Sequence, residues 1–264
     1  MKPLHDMTAQ DVRAIRWVVS DIDGTLTKDG RMCDTTLGAL SMLKDAGFTV
    51  VLATGRSAGM GQSLALYVPH ITGVICENGA LYFDATTSRK PAVLRGGLRS
   101  STHLRQLEAA FARLRTVYPQ LNRTEDDMFR LTEIAMVRDP AFGPQDLEHM
   151  AEVVGEFDCS ITYSSIHIHI MGHGVDKWRM VEKQASRQGL EDPRTQVLTI
   201  GDSVNDAMLF DPQNVVCSVG VAQVAEYRSV LEPRVPRFVT PSAEVDGFME
   251  MAETLCTLTK KHPA

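Results

Sequence analysis

The chain has 264 residues, 44% hydrophobic and 23% charged, a balance that suits a globular protein with a sizeable core and excludes global disorder. Acidic residues (33) outnumber Lys and Arg (27), and the net charge of −6 lacks the basic footprint of a nonspecific nucleic-acid binder. No apolar run approaches the ~18 residues of a membrane span, and no apolar h-region opens the chain. Five scattered cysteines without a CxxC pair read as reduced thiols of a cytoplasmic protein.

In chain order, the first 16 residues carry no assignment. Residues 17–20 form a short apolar run that predicts a buried strand. Asp34 suits the N-cap of a helix bearing Leu37, Leu40 and Leu43 on one side, with Gly47 as its stop. A second strand is expected at 49–53, a helix at 57–67 ended by Pro69, and a third strand at 73–76. This alternation predicts an α/β fold, a parallel sheet flanked by helices.

The middle of the chain differs. Segments 130–137 and 160–170 read as half-exposed strands, and 100–117 and 144–156 as helices. They predict an α+β domain with one open sheet face. The α/β pattern then returns. A helix is expected at 176–187, strands at 197–200, 215–219 and 237–239, a short helix at 205–210 and a last helix at 244–258. The expected division is a discontinuous core of residues 1–84 and 172–264, with residues 85–171 inserted.

Four short segments carry the chemistry. Asp21-Ile22-Asp23-Gly24-Thr25 follows the first strand, where alternation lets both carboxylates point the same way. Carboxylates so close need a cation or a shared proton, although Asp and Gly also suit a plain turn. Thr54-Gly55-Arg56-Ser57 follows the second strand, and its hydroxyl, glycine and helix N-terminus suit an anion. Its plainer reading is a Ser57 N-cap. Gly201-Asp202-Ser203-Val204-Asn205-Asp206 follows a late strand and offers hard oxygen ligands suited to Mg²⁺, or else a capped turn. Lys177 lies near the start of a helix; alone it reads as a solvated surface group, but beside four carboxylates it is a compact charge for balancing a phosphate. All four lie at strand ends or helix starts, where open parallel sheets bind ligands.

This series, DIDGT, TGRS, Lys177 and GDSVND in order, resembles the haloacid dehalogenase superfamily of phosphatases. Glu77-Asn78-Gly79-Ala80, an inserted segment and then Gly-Val-Asp-Lys resemble its subgroup IIB, which includes Cof-like sugar phosphatases, sucrose-phosphate phosphatase and archaeal phosphoglycolate phosphatase. The resemblance implies a Rossmann-like core with an inserted α+β cap domain. It assigns Asp21 as nucleophile and Asp23 as acid/base. Thr54, Gly55, Arg56, Lys177 and Asn205 fall to phosphate or substrate. Mg²⁺ falls to Asp21, Asp202, Asp206 and the backbone carbonyl of Asp23. Arg56 remains open between substrate and a structural ion pair.

The activity so implied is a Mg²⁺-dependent phosphomonoesterase for a small-molecule phosphate ester, a sugar phosphate first and phosphoglycolate as the alternative. A phosphohexomutase and a non-catalytic binding protein are the readings of another class. No nucleic acid or membrane partner is expected, and the protein is expected to be a monomer or homodimer. The cap would set specificity. His167 and His169 fall on one side of a strand, with Ile166, Ile168 and Ile170 on the other, and His173 lies in the return hinge. Arg123, Arg130 and Asp126 are further candidates.

Overall fold

The computed structural model describes residues 1–86, 91–94, 101–164 and 166–260. In chain order the elements are β1 (Lys2–Pro3), β2 (Trp17–Ser20), α1 (Asp34–Asp45), β3 (Thr49–Ala53), α2 (Ala58–Tyr67), β4 (Gly73–Cys76), β5 (Leu81–Asp84) and β6 (Ala92–Val93). Next come α3 (Ser101–Val117), β7 (Glu133–Val137), α4 (Pro144–Gly155), β8 (Cys159–Tyr163) and β9 (His167–Gly172). The chain then continues through α5 (Lys177–Arg187), β10 (Val197–Gly201), β11 (Cys217–Gly220), β12 (Phe238–Val239) and α6 (Glu244–Lys260).

Two sheets result. The larger has the order β1-β12-β11-β10-β2-β3-β4-β5-β6, parallel except at β5 and β6. Its apolar strands are buried on both faces, as the absence of polar alternation requires. Val18, Val50, Val74 and Leu198 pack toward α1, α2 and α6, against Leu40, Leu43, Phe248 and Leu255. Trp17, Val19, Val51 and Val197 pack the opposite way, against Trp178, Val181 and Ala185 of α5. β5 and β6 add an antiparallel edge, so this sheet runs past residue 85 to Val93.

The smaller sheet, β7-β9-β8, is antiparallel. Its Ile134, Met136, Ile168 and Ile170 bury against Leu107 and Leu114 of α3 and Met150 and Val154 of α4. Its other face carries Glu133, Ala135, His167, His169, Ser160 and Thr162. This is the period of two along each strand, expressed as a helix-covered face and a face left for the large sheet.

Several local expectations shift. Cys33, rather than Asp34, holds the N-cap of α1, because its backbone N–H is taken by Thr36 Oγ1 at 3.1 Å. Leu37 is 41% exposed, so the buried stripe of α1 rests on Leu40 and Leu43. The strand expected at 130–137 begins only at Glu133, because Arg130, Leu131 and Thr132 bond to the large sheet's side instead. The segment expected at 160–170 is two strands joined by a turn near Ser164. The helix expected at 205–210 is a 3₁₀ turn at Val204–Asp206 running into Ala207–Phe210. Ser100 and Ser165 fall outside the described residues. The unassigned N-terminal segment joins the large sheet through β1 and buries Leu4, Met7, Val12 and Ile15.

Candidate active site

Strand register assembles the site. β2 and β10 are parallel neighbours with Ser20 opposite Ile200, so the residues that follow both strands are brought together. The backbone N–H of Asp21 donates to the Ile200 carbonyl at 2.9 Å and carries this alignment one residue further. Asp21, Asp202 and Asp206 each offer an oxygen within 4.8 Å of the others, and all three are buried. β3 flanks β2 on its other side, which places Thr54 and Gly55 at the same end. Gly24 has a φ of +80°, and a Cβ there would lie 2.6 Å from Asp202 Oδ2, so the turn after Asp23 admits only glycine without strain.

Lys177 stands at the first position of α5, behind an Asp176 N-cap that accepts from the Arg179 N–H at 2.9 Å. Its ammonium is fully buried and donates to Asp21 Oδ1 at 2.6 Å and Asp206 Oδ1 at 2.7 Å. Burial opposes its charge, but Asp206 and Asp21 reverse that and raise its pKa. One ammonium does not neutralise three carboxylates. Burial, only partly offset by Lys177, drives the Asp21 carboxyl well above the usual range, and burial with the charge of Asp206 pushes Asp202 up to about 7. Asp202 Oδ1 is buried and has no hydrogen-bond partner among the described residues. A buried orphan oxygen within an all-carboxylate set fits a hard divalent cation such as Mg²⁺.

Asp23 points elsewhere. Arg56 grips its carboxylate with two hydrogen bonds, Nε at 2.8 Å and Nη2 at 2.6 Å. Among the described residues, the Asp23 side chain is thus outside the three-carboxylate cluster, and Arg56 makes the ion pair. The Thr54 hydroxyl accepts from the Arg56 N–H at 3.0 Å and shapes the loop before α2. Asn205 Oδ1 accepts from the Ser203 hydroxyl at 2.9 Å.

The open face of the small sheet roofs these strand ends. The cleft between them is lined by Asp21, Asp23, Gly55, Arg56, Ser203 and Asn205 below, and by Ser164, Ile166, His167 and His169 above. His173 is exposed and lies outside that lining. Burial, with the positive groups nearby, pushes His167 down to about 4, so its imidazole is neutral at physiological pH.

Known proteins resemble this chain over most of its length. Residues 18–93 match the family of haloacid dehalogenase-like hydrolases. Over 238 residues the chain is 31% identical to a phosphoglycolate phosphatase of Methanosarcina mazei, covering 90% of this chain and 95% of that one. The chain belongs to the haloacid dehalogenase superfamily. A second relative of this phosphatase, the phosphoglycolate phosphatase of Haloarcula marismortui, is 29% identical over 88% of the chain and 94% of its own length. Among solved structures, a Thermoplasma acidophilum protein superposes with a TM-score of 0.71 at 21% identity, over 92% of this chain and 99% of that one. A subclass IIB sugar phosphatase superposes at 0.63 and 15% identity, over 93% and 98%.

Around the phosphatase's cleft lie residues that sequence reasoning passed over or ranked low. Glu77 accepts from four donors: the N–H groups of Ala58 (2.9 Å), Leu131 (2.8 Å) and Thr132 (2.7 Å), and the Thr132 hydroxyl (2.5 Å). Burial and Glu133 push Glu77 up to about 7, while these donors favour its charged form. Arg130, buried, donates to the Gly55 carbonyl at 2.9 Å and pairs with Glu133 and Asp126. Arg123 pairs with Glu108 and Asp127 instead. Glu133 carried one signal in the sequence, a lone carboxylate starting an otherwise apolar strand.

Proposed function

We propose that the protein is a Mg²⁺-dependent phosphomonoesterase acting through an aspartyl-phosphate, with phosphoglycolate as its substrate class. The observation that carries this reading is the cluster of Asp21, Asp202 and Asp206, three buried carboxylates balanced by one lysine. Bound among these three residues, Mg²⁺ would supply charge neutralisation between the carboxylates and the incoming phosphate.

The chain's own groups divide the remaining work. Asp21 Oδ attacks phosphorus in line with the leaving oxygen, and the P–O ester bond breaks as the acyl phosphate forms. Asp23 gives a proton to the departing alkoxide, then takes one from the water that hydrolyses the acyl phosphate. Lys177, already bonded to Asp21 and Asp206, holds the nucleophile in place. Thr54, Gly55 and the start of α2 offer donors to the phosphoryl oxygens. In this reading residues 85–171 form the cap, and the open face of the small sheet excludes water.

The choice of phosphoglycolate over a sugar phosphate rests on the names of the relatives and on two groups lining the cleft, Arg56 below and His169 above, which suit a compact anionic leaving group. Free cysteines at all five positions suit a cytoplasmic setting. Among the described residues no helix is long and apolar enough to cross a membrane.

The test is phosphate release from 2-phosphoglycolate, hexose phosphates and nucleotides, with Mg²⁺ and with EDTA, for wild type and Asp21→Asn. Metal-dependent release that Asp21→Asn abolishes supports the reading. Turnover by Asp21→Asn at the wild-type rate refutes it. A hexose phosphate as best substrate keeps the chemistry and replaces the substrate.

A further inference from the structure

Glu133 opens β7 in the seam between the two sheets, and its side chain is fully buried. A carboxylate there is costly unless both oxygens are satisfied. Oε1 accepts from Arg130 Nη1 and lies 3.0 Å from His169 Nδ1, while Oε2 accepts from Asn78 Nδ2 at 3.0 Å. Burial works against the charge, but His169 and then Arg130 hold the Glu133 carboxyl below its ordinary range. A ring nitrogen facing an ionised carboxylate carries the proton, so Nδ1–H donates to Glu133.

The rest of the imidazole belongs to the cleft. His169 is 1% exposed and lines the same cleft as Asp21, Asp23 and Arg56. With Nδ1 committed to Glu133, Nε2 is the nitrogen left for a bound molecule. Strand register fixes the pairing, because Ala135 stands opposite His169 and Glu133 lies two residues along on the same face. Glu133 also reaches beneath the cleft. Its partner Arg130 donates to the Gly55 carbonyl at 2.9 Å, and its partner Asn78 would be 3.0 Å, at Oδ1, from a Cβ on Gly55. One buried carboxylate is therefore tied to the ring above the cleft and to the loop below it.

We infer that Glu133 is a positioning residue for leaving-group recognition, holding His169 so that its Nε2 edge meets the carboxylate of a phosphorylated hydroxy acid. In that pose the ring bridges two anions, with Nδ1–H donating to Glu133 and Nε2–H to the substrate. Asp21 and Asp23 handle the phosphoryl transfer, and His169 touches only the far end of the leaving group. The inference rests on the phosphatase reading above and adds the residue pair that selects among its substrates.

The experiment measures kcat and KM for 2-phosphoglycolate, glucose 6-phosphate and p-nitrophenyl phosphate in wild type, Glu133→Gln, His169→Gln and the double variant, with melting temperatures alongside. Each single variant should lower kcat/KM for 2-phosphoglycolate by about tenfold or more, mainly through KM, and change p-nitrophenyl phosphate by less than about threefold. The double variant should be no worse than His169→Gln alone, because both remove one interaction. Equal losses on all three esters, additive losses, or a loss confined to glucose 6-phosphate overturn the inference. If Glu133→Gln does not fold, the substrate ratio of His169→Gln decides, and an unchanged ratio overturns it. A wild type that hydrolyses none of the esters refutes the phosphatase reading itself. A wild type active on all three with an unaltered ratio in His169→Gln refutes only this inference.

Discussion

Arg56 grips both oxygens of Asp23, with Nε on one and Nη2 on the other. The two side chains are each about three-tenths exposed, at 28% and 29%, so the pair is open to the cleft rather than sealed in the core. A fork of this kind sets the orientation of a carboxylate as well as its charge.

Arg56→Ala is therefore expected to lower kcat by roughly tenfold or more, with little change in melting temperature, because Asp23, the proton donor proposed above, loses its orientation at a partly solvated site. Arg56→Lys should recover little of the loss, since a point charge cannot reproduce the fork. Steady-state kinetics on one alkyl phosphate and on p-nitrophenyl phosphate check this. The alkyl ester, with the poorer leaving group, should suffer more.

Mg²⁺ is expected to stabilise the protein as well as activate it. At about a hundredfold excess over its dissociation constant, a ligand specific to the folded state adds roughly 2.7 kcal/mol. Among the described residues Asp202 Oδ1 has no hydrogen-bond partner, so Asp202→Asn should cancel most of the rise in melting temperature on adding Mg²⁺. Thermal melts with Mg²⁺ and with EDTA read this out without any assay of turnover.

Gly24→Ala should fail twice over. Its φ of +80° strains any side-chain-bearing residue, and the new methyl would press on Asp202 Oδ2. A loss of about 1–3 kcal/mol is expected from the backbone alone, seen in urea unfolding. Gly30, with a φ of +73° and open space around it, should show the backbone cost while keeping activity, and the pair of variants separates strain from collision.

His167 gives a pH prediction. Burial first, then His169, Arg56 and Arg130, push it down to about 4 in the fold, whereas the unfolded chain binds a proton near the ordinary value of 6.5. The unfolded state therefore takes up protons first on acidification. The stability that His167 supports is present above about pH 6.5 and is lost as pH falls toward 4. His167→Asn should flatten this part of the acid limb in denaturant midpoints measured between pH 7 and pH 4.5.

The floor of the candidate site was legible in the sequence because its residues follow strands that announce themselves. The apolar runs at Trp17–Ser20, Thr49–Ala53 and Val197–Gly201 place Asp21, Thr54 and Asp202 at one sheet end once the strands pair. The period of two in β9 likewise separated His167 and His169 from Ile168 and Ile170. What stayed hidden depended on contacts far apart in the chain. Glu77 and Leu131 are 54 residues apart, and no local pattern joins them. The start of β7 moved for the same reason, because Arg130 through Thr132 spend their hydrogen bonds on the large sheet. β1 has only two residues and owes its existence to Phe238 and Val239.

The four donors gathered on Glu77 bear on what can reach Asp21. Two of them, the N–H groups of Leu131 and Thr132, lead straight into β7, and Arg130 adds a bond to Gly55 just before them. A wide gape on this side would break several buried bonds at once. Free metabolites slip past such a threshold, but a phosphoserine standing on a folded protein would have to force it apart. In the reading proposed above the enzyme should therefore leave phosphoproteins untouched, and phosphate release from a folded phosphoserine protein would check this.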